Sequence, residues 1–248
     1  MSGAPVTLAG RVDGARLVLS CEHASATVPA EYTNLGLAPS QLIEHIGWDI
    51  GAATVTAELS RRLGAPAVLG GASRLLVDCN RDLTDSDLMP LVSHGTPIPG
   101  NAAITDEDRA ARIARYYHPY HAAIDAQLTA HPGSLLLSIH SFTPSLNGNE
   151  RNFEVGVLFD AFEDLAAKWS ERIAAAGFRV RLNEPYSGLD GLIYSARRHG
   201  RRHGVPYLEL EINNRLLRCE FEAQTLASRL DAAVAWLVGV PHAAAGWD

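Results

Sequence analysis

Three apolar runs in this chain each end in polar residues able to do chemistry. They end in Ser20-Cys21-Glu22-His23, in Ser138-Ile139-His140-Ser141 and in Glu209-Leu210-Glu211-Ile212-Asn213. Two histidines and several carboxylates at strand ends are the donor set a catalytic zinc needs, with three protein ligands and one position open for water. His23 and His140 supply two ligands; singly each reads as an ordinary hydrogen-bonded histidine, but together at parallel strand positions they favour a metal. The third ligand is open between two carboxylates. Asp49 directly precedes a helical stretch beginning near Ile50, where an aspartate also serves as a helix cap. Glu22 adjoins His23, and neighbouring strand side chains point opposite ways, so that pair is a less natural choice for one ion.

The remaining histidines and the cysteines carry weaker signals. His118 and His121 stand three apart on a helix and read as a solvated or hydrogen-bonded face rather than a ligand pair. His199 and His203 lie in RRHGRRHG, which reads as a solvated basic helix end rather than a substrate site. There is no GxSxG, so a serine hydrolase is a poor reading. Cys21 beside Glu22-His23 is a nominal nucleophile, but adjacent residues rarely form a nucleophile–base pair, and a buried strand cysteine is the expected state.

The elements that must position these groups alternate along the chain. Strand-like runs fall at 16–21, 67–69, 75–78, 135–140, 154–159, 178–182 and 206–212. Helical patterns fall at 40–46, 50–63, 106–130, 162–176 and 220–238. Gly64 and Gly177 sit where C-terminal caps belong, Thr105 with Asp108 opens the long middle helix, and Pro119 should kink or break it. This alternation predicts an α/β sheet covered by helices on both faces, with runs such as LLLSI buried on both sides. In such sheets ligands gather at the carboxyl ends of strands, where the polar clusters lie. Residues 82–101 are rich in proline and glycine and read as a long functional loop.

Composition narrows the function classes. The 248 residues are 47% hydrophobic and 20% charged, which suits one folded domain over 1–248. A net charge of -7 argues against a nucleic-acid partner, although a local basic patch exists near Arg197. Three widely spaced cysteines argue against a disulfide framework and for a reducing cytoplasm. The N-terminal stretch does not read as a signal peptide, and no 18-residue apolar run predicts a membrane span. The oligomeric state is not readable.

Several stretches then fall into a known pattern. CEHASATVP, WDIGAA, SRLLVDCNRD, IPGN, SIHSF and LELEINN, in this order from about Arg16 to about Leu217, resemble the N-formylglutamate amidohydrolase family. The resemblance implies a three-layer α/β/α sandwich with a mixed sheet, of the zinc-exopeptidase (phosphorylase/hydrolase-like) type. Wider kinship with zinc carboxypeptidases implies roles. His23 and His140 become the first and third metal ligands. The usual HxxE is absent, since Ala24-Ser25-Ala26 follows His23, and Asp49 takes the carboxylate role from the start of the next helix. Asn80-Arg81 resembles the pair that holds a substrate carboxylate, a task that suits the planar fork of arginine. Arg74 is placed to polarise the scissile carbonyl, with a structural arginine as the equal alternative. Glu211 is the general base, with Glu209, two residues away on the same strand face, as its support or substitute. The family's arginine after the isoleucine is replaced by Asn213.

The implied reaction is hydrolysis of an N-acyl amino acid amide, N-formyl-L-glutamate first, giving formate and glutamate. One zinc per chain, or another divalent ion, would activate water, and Glu211 would move its proton. The basic region 197–202 would help a second substrate carboxylate. Two alternatives accompany this reading: a related enzyme acting on another N-acyl amino acid or peptide, and a metal-free binding protein on the same fold.

Overall fold

The computed structural model describes residues 4–10, 14–146 and 148–240. Part of the N-terminal stretch read for a leader lies outside them. The chain runs through β1 (Val6–Ala9), β2 (Leu17–Cys21), the short α1 (Pro39–Leu42), α2 (Ala52–Leu63) and β3 (Ala67–Gly70). A small hairpin, β4 (Val92–Ser93) and β5 (Thr96–Pro97), precedes α3 (Pro99–Ala102), α4 (Asp106–Arg112) and α5 (His118–Ala130). Then come β6 (Leu135–Phe142), a second hairpin of β7 (Ser145–Leu146) and β8 (Asn149–Glu150), and β9 (Val155–Leu158). The chain continues through α6 (Glu163–Ala175), β10 (Val180–Leu182), α7 (Tyr194–His203), β11 (Tyr207–Asn213) and α8 (Glu220–Gly239).

Seven strands form one mixed sheet in the order β1-β3-β2-β6-β11-β9-β10. The four central strands β3, β2, β6 and β11 are parallel, while β1 and the β9–β10 pair run against them. Alternate side chains on these strands feed two separate cores. One face packs Leu17, Leu19, Leu135, Leu137 and Leu208 against α2, α6 and α8. The other packs Val18, Leu136 and Tyr207 against α5 and α7. These are the three layers expected. Trp169 of α6 is fully buried in the first core and donates its indole N–H to the Ala233 carbonyl of α8. Its replacement by alanine would cost about 3–5 kcal/mol.

The register of β2, β6 and β11 sets the site. Across these strands Val18, Leu136 and Tyr207 form one row, and Ser20, Ser138 and Glu209 the next. One step further, His140 lies beside Glu211. Because side chains alternate, one sheet face thus changes from apolar to polar toward the strand carboxyl ends.

Three local expectations are revised. Leu75–Asp78 is not a strand but a buried turn region, held by Leu76 N–H to the Ser73 carbonyl and Asp78 N–H to the Leu88 carbonyl. A four-residue apolar run carries too little period to separate the two. The helical pattern at 40–46 shortens to the four residues of α1. The middle helix is not broken at Pro119: a π-helical turn, Ile113–Tyr117, joins α4 to α5 just before it, and Pro119 then occupies the first turn of α5. Thr105 caps α4 as expected, accepting from the Asp108 N–H at 3.1 Å. Among the described residues no helix is long and apolar enough to cross a membrane, and all three cysteines are free.

Candidate metal centre and substrate cleft

At the carboxyl ends of β2, β6 and β11 lies a cleft of about 210 Å³. His23, Asp49, Arg74, Asn80, Arg81, His140, Glu209 and Glu211 all line it. The structure therefore brings these eight residues together.

Asp49 is the point of convergence. Its Oδ2 lies 2.8 Å from His140 Nδ1 and 3.4 Å from His23 Nδ1. It also accepts the Ser141 N–H at 3.2 Å. Asp49 does not cap α2, whose N-cap is Gly51 in a left-handed conformation with φ of 77°. A Cβ there would also come within 2.5 Å of Leu217 Cβ, so glycine is required on both counts. Gly51 separates the aspartate from the helix and leaves its carboxylate free to face the histidines.

Each imidazole is backed by a second carboxylate. His23 Nε2 is 2.7 Å from Asp78 Oδ1, and His140 Nε2 is 2.9 Å from Glu22 Oε2. Each Nε2 thus faces an acceptor carboxylate, and both Nδ1 atoms face Asp49. Ligand atoms of His23, Asp49 and His140 lie within 4.8 Å of one another, and so do those of His140, Glu209 and Glu211. Arg74 ties the cluster together, 3.3 Å from Asp49 and 3.2 Å from Asp78. The buried charges of His23, Asp49, Asp78, His140 and Glu22 are tolerable because each is paired.

The electrostatics divide the carboxylates into two sets. Burial is the largest influence on Asp49 and Asp78 and pushes both up, but His23 and His140 together at Asp49, and His23 and Arg74 together at Asp78, outweigh it, and both carboxylates sit below their ordinary range. Glu22 is likewise held down, by His140 and Ser138 against its burial. Burial wins at the other two. Glu209 is raised to about 7 and Glu211 well above the ordinary carboxylate value, with His140 opposing in each case. One oxygen of each, Oε2, is buried without a hydrogen-bond partner among the described residues. Opposite Glu211 on β9 stands Gly156, where an added Cβ would come within 3.3 Å of Glu211 Cβ.

Asn80 and Arg81 occupy one wall. The Asn80 amide oxygen accepts the Ser195 N–H at 2.9 Å, and its Nδ2 is 3.5 Å from the Leu192 carbonyl. It thereby fixes the start of α7 to the cleft. Arg81 has no ion pair or side-chain hydrogen bond among the described residues.

Several lining residues were not singled out from the sequence. Asp78 sits two before Asn80 in VDCNRD, and an acidic residue so close to the expected clamp was a usable signal. His45 and His94 also line the cleft, with rings 5.9 Å apart, and Ser141, Tyr186 and Leu192 complete it. His94 is at the tip of the β4–β5 hairpin, inside the loop expected to be functional.

Two expectations about basic and histidine-rich segments are corrected. Residues 197–202 do not line the cleft. Arg201 pairs with Asp160, Arg202 with Asp125, and Arg198 donates to Tyr194. His199 is not a solvated helix end. It is fully buried, 2.8 Å from both His121 and Asp125. His121 is buried with it, so α5 turns its histidine inward because α7 supplies a partner. Cys21 is fully buried and its thiol is pushed up by that burial, which removes it as a nucleophile. Asn213 is structural: it donates to the Phe153 carbonyl and accepts from the Arg215 N–H.

With this geometry in hand, known proteins give a consistent picture. A family model described as N-formylglutamate amidohydrolase matches residues 15–218. The gene product Atu2144 from Agrobacterium tumefaciens has a solved structure 32% identical to this chain, covering 96% of each chain with a TM-score of 0.90. The N-formylglutamate amidohydrolase from Ralstonia eutropha JMP134 is 21% identical over 95% of this chain and 98% of that one, with a TM-score of 0.75, and shares the fold. No curated protein matches the chain. The chain belongs to the N-formylglutamate amidohydrolase family, whose reaction is the hydrolysis of an amide bond.

Proposed function

We propose that this protein is a metal-dependent amidohydrolase of N-acyl amino acids, with one zinc or other divalent ion per chain held by His23, Asp49 and His140. The carrying observation is that two imidazoles, each backed by a buried carboxylate at Nε2, turn Nδ1 to the same Asp49 oxygen. Backing of this kind is how proteins orient metal-binding histidines. The partnerless buried oxygens of Glu209 and Glu211 fit a site built around a cation and a water.

An ion bound there would polarise water and the scissile carbonyl. The chain's own residues do the rest. Glu211, in register with His140, takes a proton from the attacking water and delivers it to the leaving nitrogen. Glu209 sits one row deeper, beside Ser138, and supports His140 from 3.6 Å. Arg74, pinned by Asp49 and Asp78, presents its remaining N–H groups to the developing oxyanion. Arg81 holds the substrate carboxylate, helped by the second N–H of Asn80.

N-formyl-L-glutamate is the first substrate to test, and the three free cysteines suit a reducing compartment. The test is metal content by elemental analysis together with formate release on the same sample. One zinc per chain with formate release is expected. Zinc without formate would move the substrate to another N-acyl amino acid. Neither metal nor activity, even after zinc is added back, would overturn the proposal.

A further inference from the structure

Glu22 was weighed above as a rival metal ligand, and its surroundings exclude that role. It is 2% exposed and does not line the cleft. Its Oε1 accepts the Tyr120 hydroxyl at 2.9 Å. Its Oε2 accepts the Ser138 hydroxyl at 2.6 Å and faces His140 Nε2 at 2.9 Å. Tyr120 and Ser138 are both fully buried. Three donors from β6 and α5 thus converge on one carboxylate behind the imidazole.

We propose that Glu22 is a positioning residue that sets which nitrogen of His140 faces the metal centre. The inference rests on the metal reading above. Two carboxylates flank the His140 ring, Glu22 at Nε2 and Asp49 at Nδ1, 2.9 and 2.8 Å away. A proton held on Nδ1 would block the ligand position. The Tyr120 and Ser138 hydroxyls hold Glu22 in place behind Nε2, where it accepts that N–H. The proton then stays on Nε2, and the Nδ1 lone pair is presented to the cation. Asp78 performs the same service for His23 without a comparable pair of hydroxyl anchors: its Oδ1 accepts the Asn80 N–H and its Oδ2 faces Arg74. The two histidines are therefore oriented by differently built partners.

The experiment uses the full chain and zinc alone as probe. Glu22→Leu removes the acceptor, and Glu22→Gln keeps a carbonyl oxygen able to take the same proton. Zinc affinity is measured by competition with a chromophoric chelator. The His140 Nε2–H is followed by nitrogen-15 NMR of the zinc-loaded protein, assigned by its loss in His140→Asn. Glu22→Leu is expected to bind zinc about 10- to 100-fold more weakly and to lose the protected Nε2–H signal. Glu22→Gln should retain the signal and most of the affinity. If Glu22→Leu does not fold, Tyr120→Phe and Ser138→Ala should each weaken zinc binding in the same direction. A purely structural role would lower the thermal midpoint with zinc affinity intact, and that result would overturn the proposal. So would a zinc-loaded wild type without a protected Nε2–H. A wild type that binds no zinc would instead overturn the metal reading itself.

Discussion

His140 and Glu211 stand side by side on parallel strands, paired in register one row beyond the point where the sheet face becomes polar. The proposed metal ligand and the proposed base are thus fixed relative to each other by backbone hydrogen bonds rather than by a loop. Glu211→Gln should therefore keep zinc bound and lower kcat by about 10²–10⁴-fold, the range of lost acid–base catalysis. Glu209→Gln, one row deeper, should cost less. Steady-state kinetics with parallel metal analysis checks this, and the reverse ranking would transfer the base to Glu209.

Asp78 ties His23 to Arg74. Asp78→Asn should weaken zinc binding about 10- to 100-fold, since His23 loses its oriented partner. Chelator competition reads this directly. Unchanged affinity would remove Asp78 from the support of the metal.

Arg81 presents a guanidinium to the cleft with no ion pair among the described residues. Arg81→Ala should lower kcat/KM by about 10- to 100-fold through the loss of a charge-assisted pair of ~1.5–3 kcal/mol. Arg81→Lys should restore little, because an ammonium cannot reproduce the planar fork. An unchanged kcat/KM for the alanine variant would refute the clamp.

The buried His121–His199 pair makes stability depend on pH in a defined direction. Burial holds both imidazoles below their ordinary value; Arg198 and His199 add to it at His121, while Asp125 opposes it at His199. The folded state then binds protons less readily than the unfolded chain. Stability from this pair is complete above the unfolded imidazole value of ~6.5 and falls as pH drops through it. The thermal midpoint of the metal-free protein should decline from pH 7 to pH 5, and His121→Asn should flatten that decline. An equal slope in the variant would assign it elsewhere.

The parts of the site that could be read from the sequence are those fixed by strand periodicity. His140, Glu209 and Glu211 lie on strands that turn their side chains as alternation requires, while His23 lies in the turn that follows β2. Asp49 was readable as a carboxylate before a helix, but its release from capping depends on Gly51 and Leu217, 166 positions further on. His45, His94 and Asp78 come from turns whose paths are set by long-range hydrogen bonds, such as Asp78 N–H to Leu88. Buried His199 was misread because its partners, His121 and Asp125, lie on another helix and the local RRHGRRHG pattern looks solvated. Composition near a residue reports its neighbours in sequence, whereas its charge state answers to neighbours in space.

The rows that cross β2, β6 and β11 also make catalysis and folding inseparable. If β11 slipped by one residue, Glu209 and Glu211 would turn into the apolar layer beneath α6 and α8, while Leu208 and Leu210 would face the polar cluster. Two unpaired carboxylates in that layer are incompatible with a folded core. A molecule with its base out of place therefore cannot persist as a folded but inactive species. The sheet register acts as a proofreading step, and molecules that reach the native state carry an aligned site.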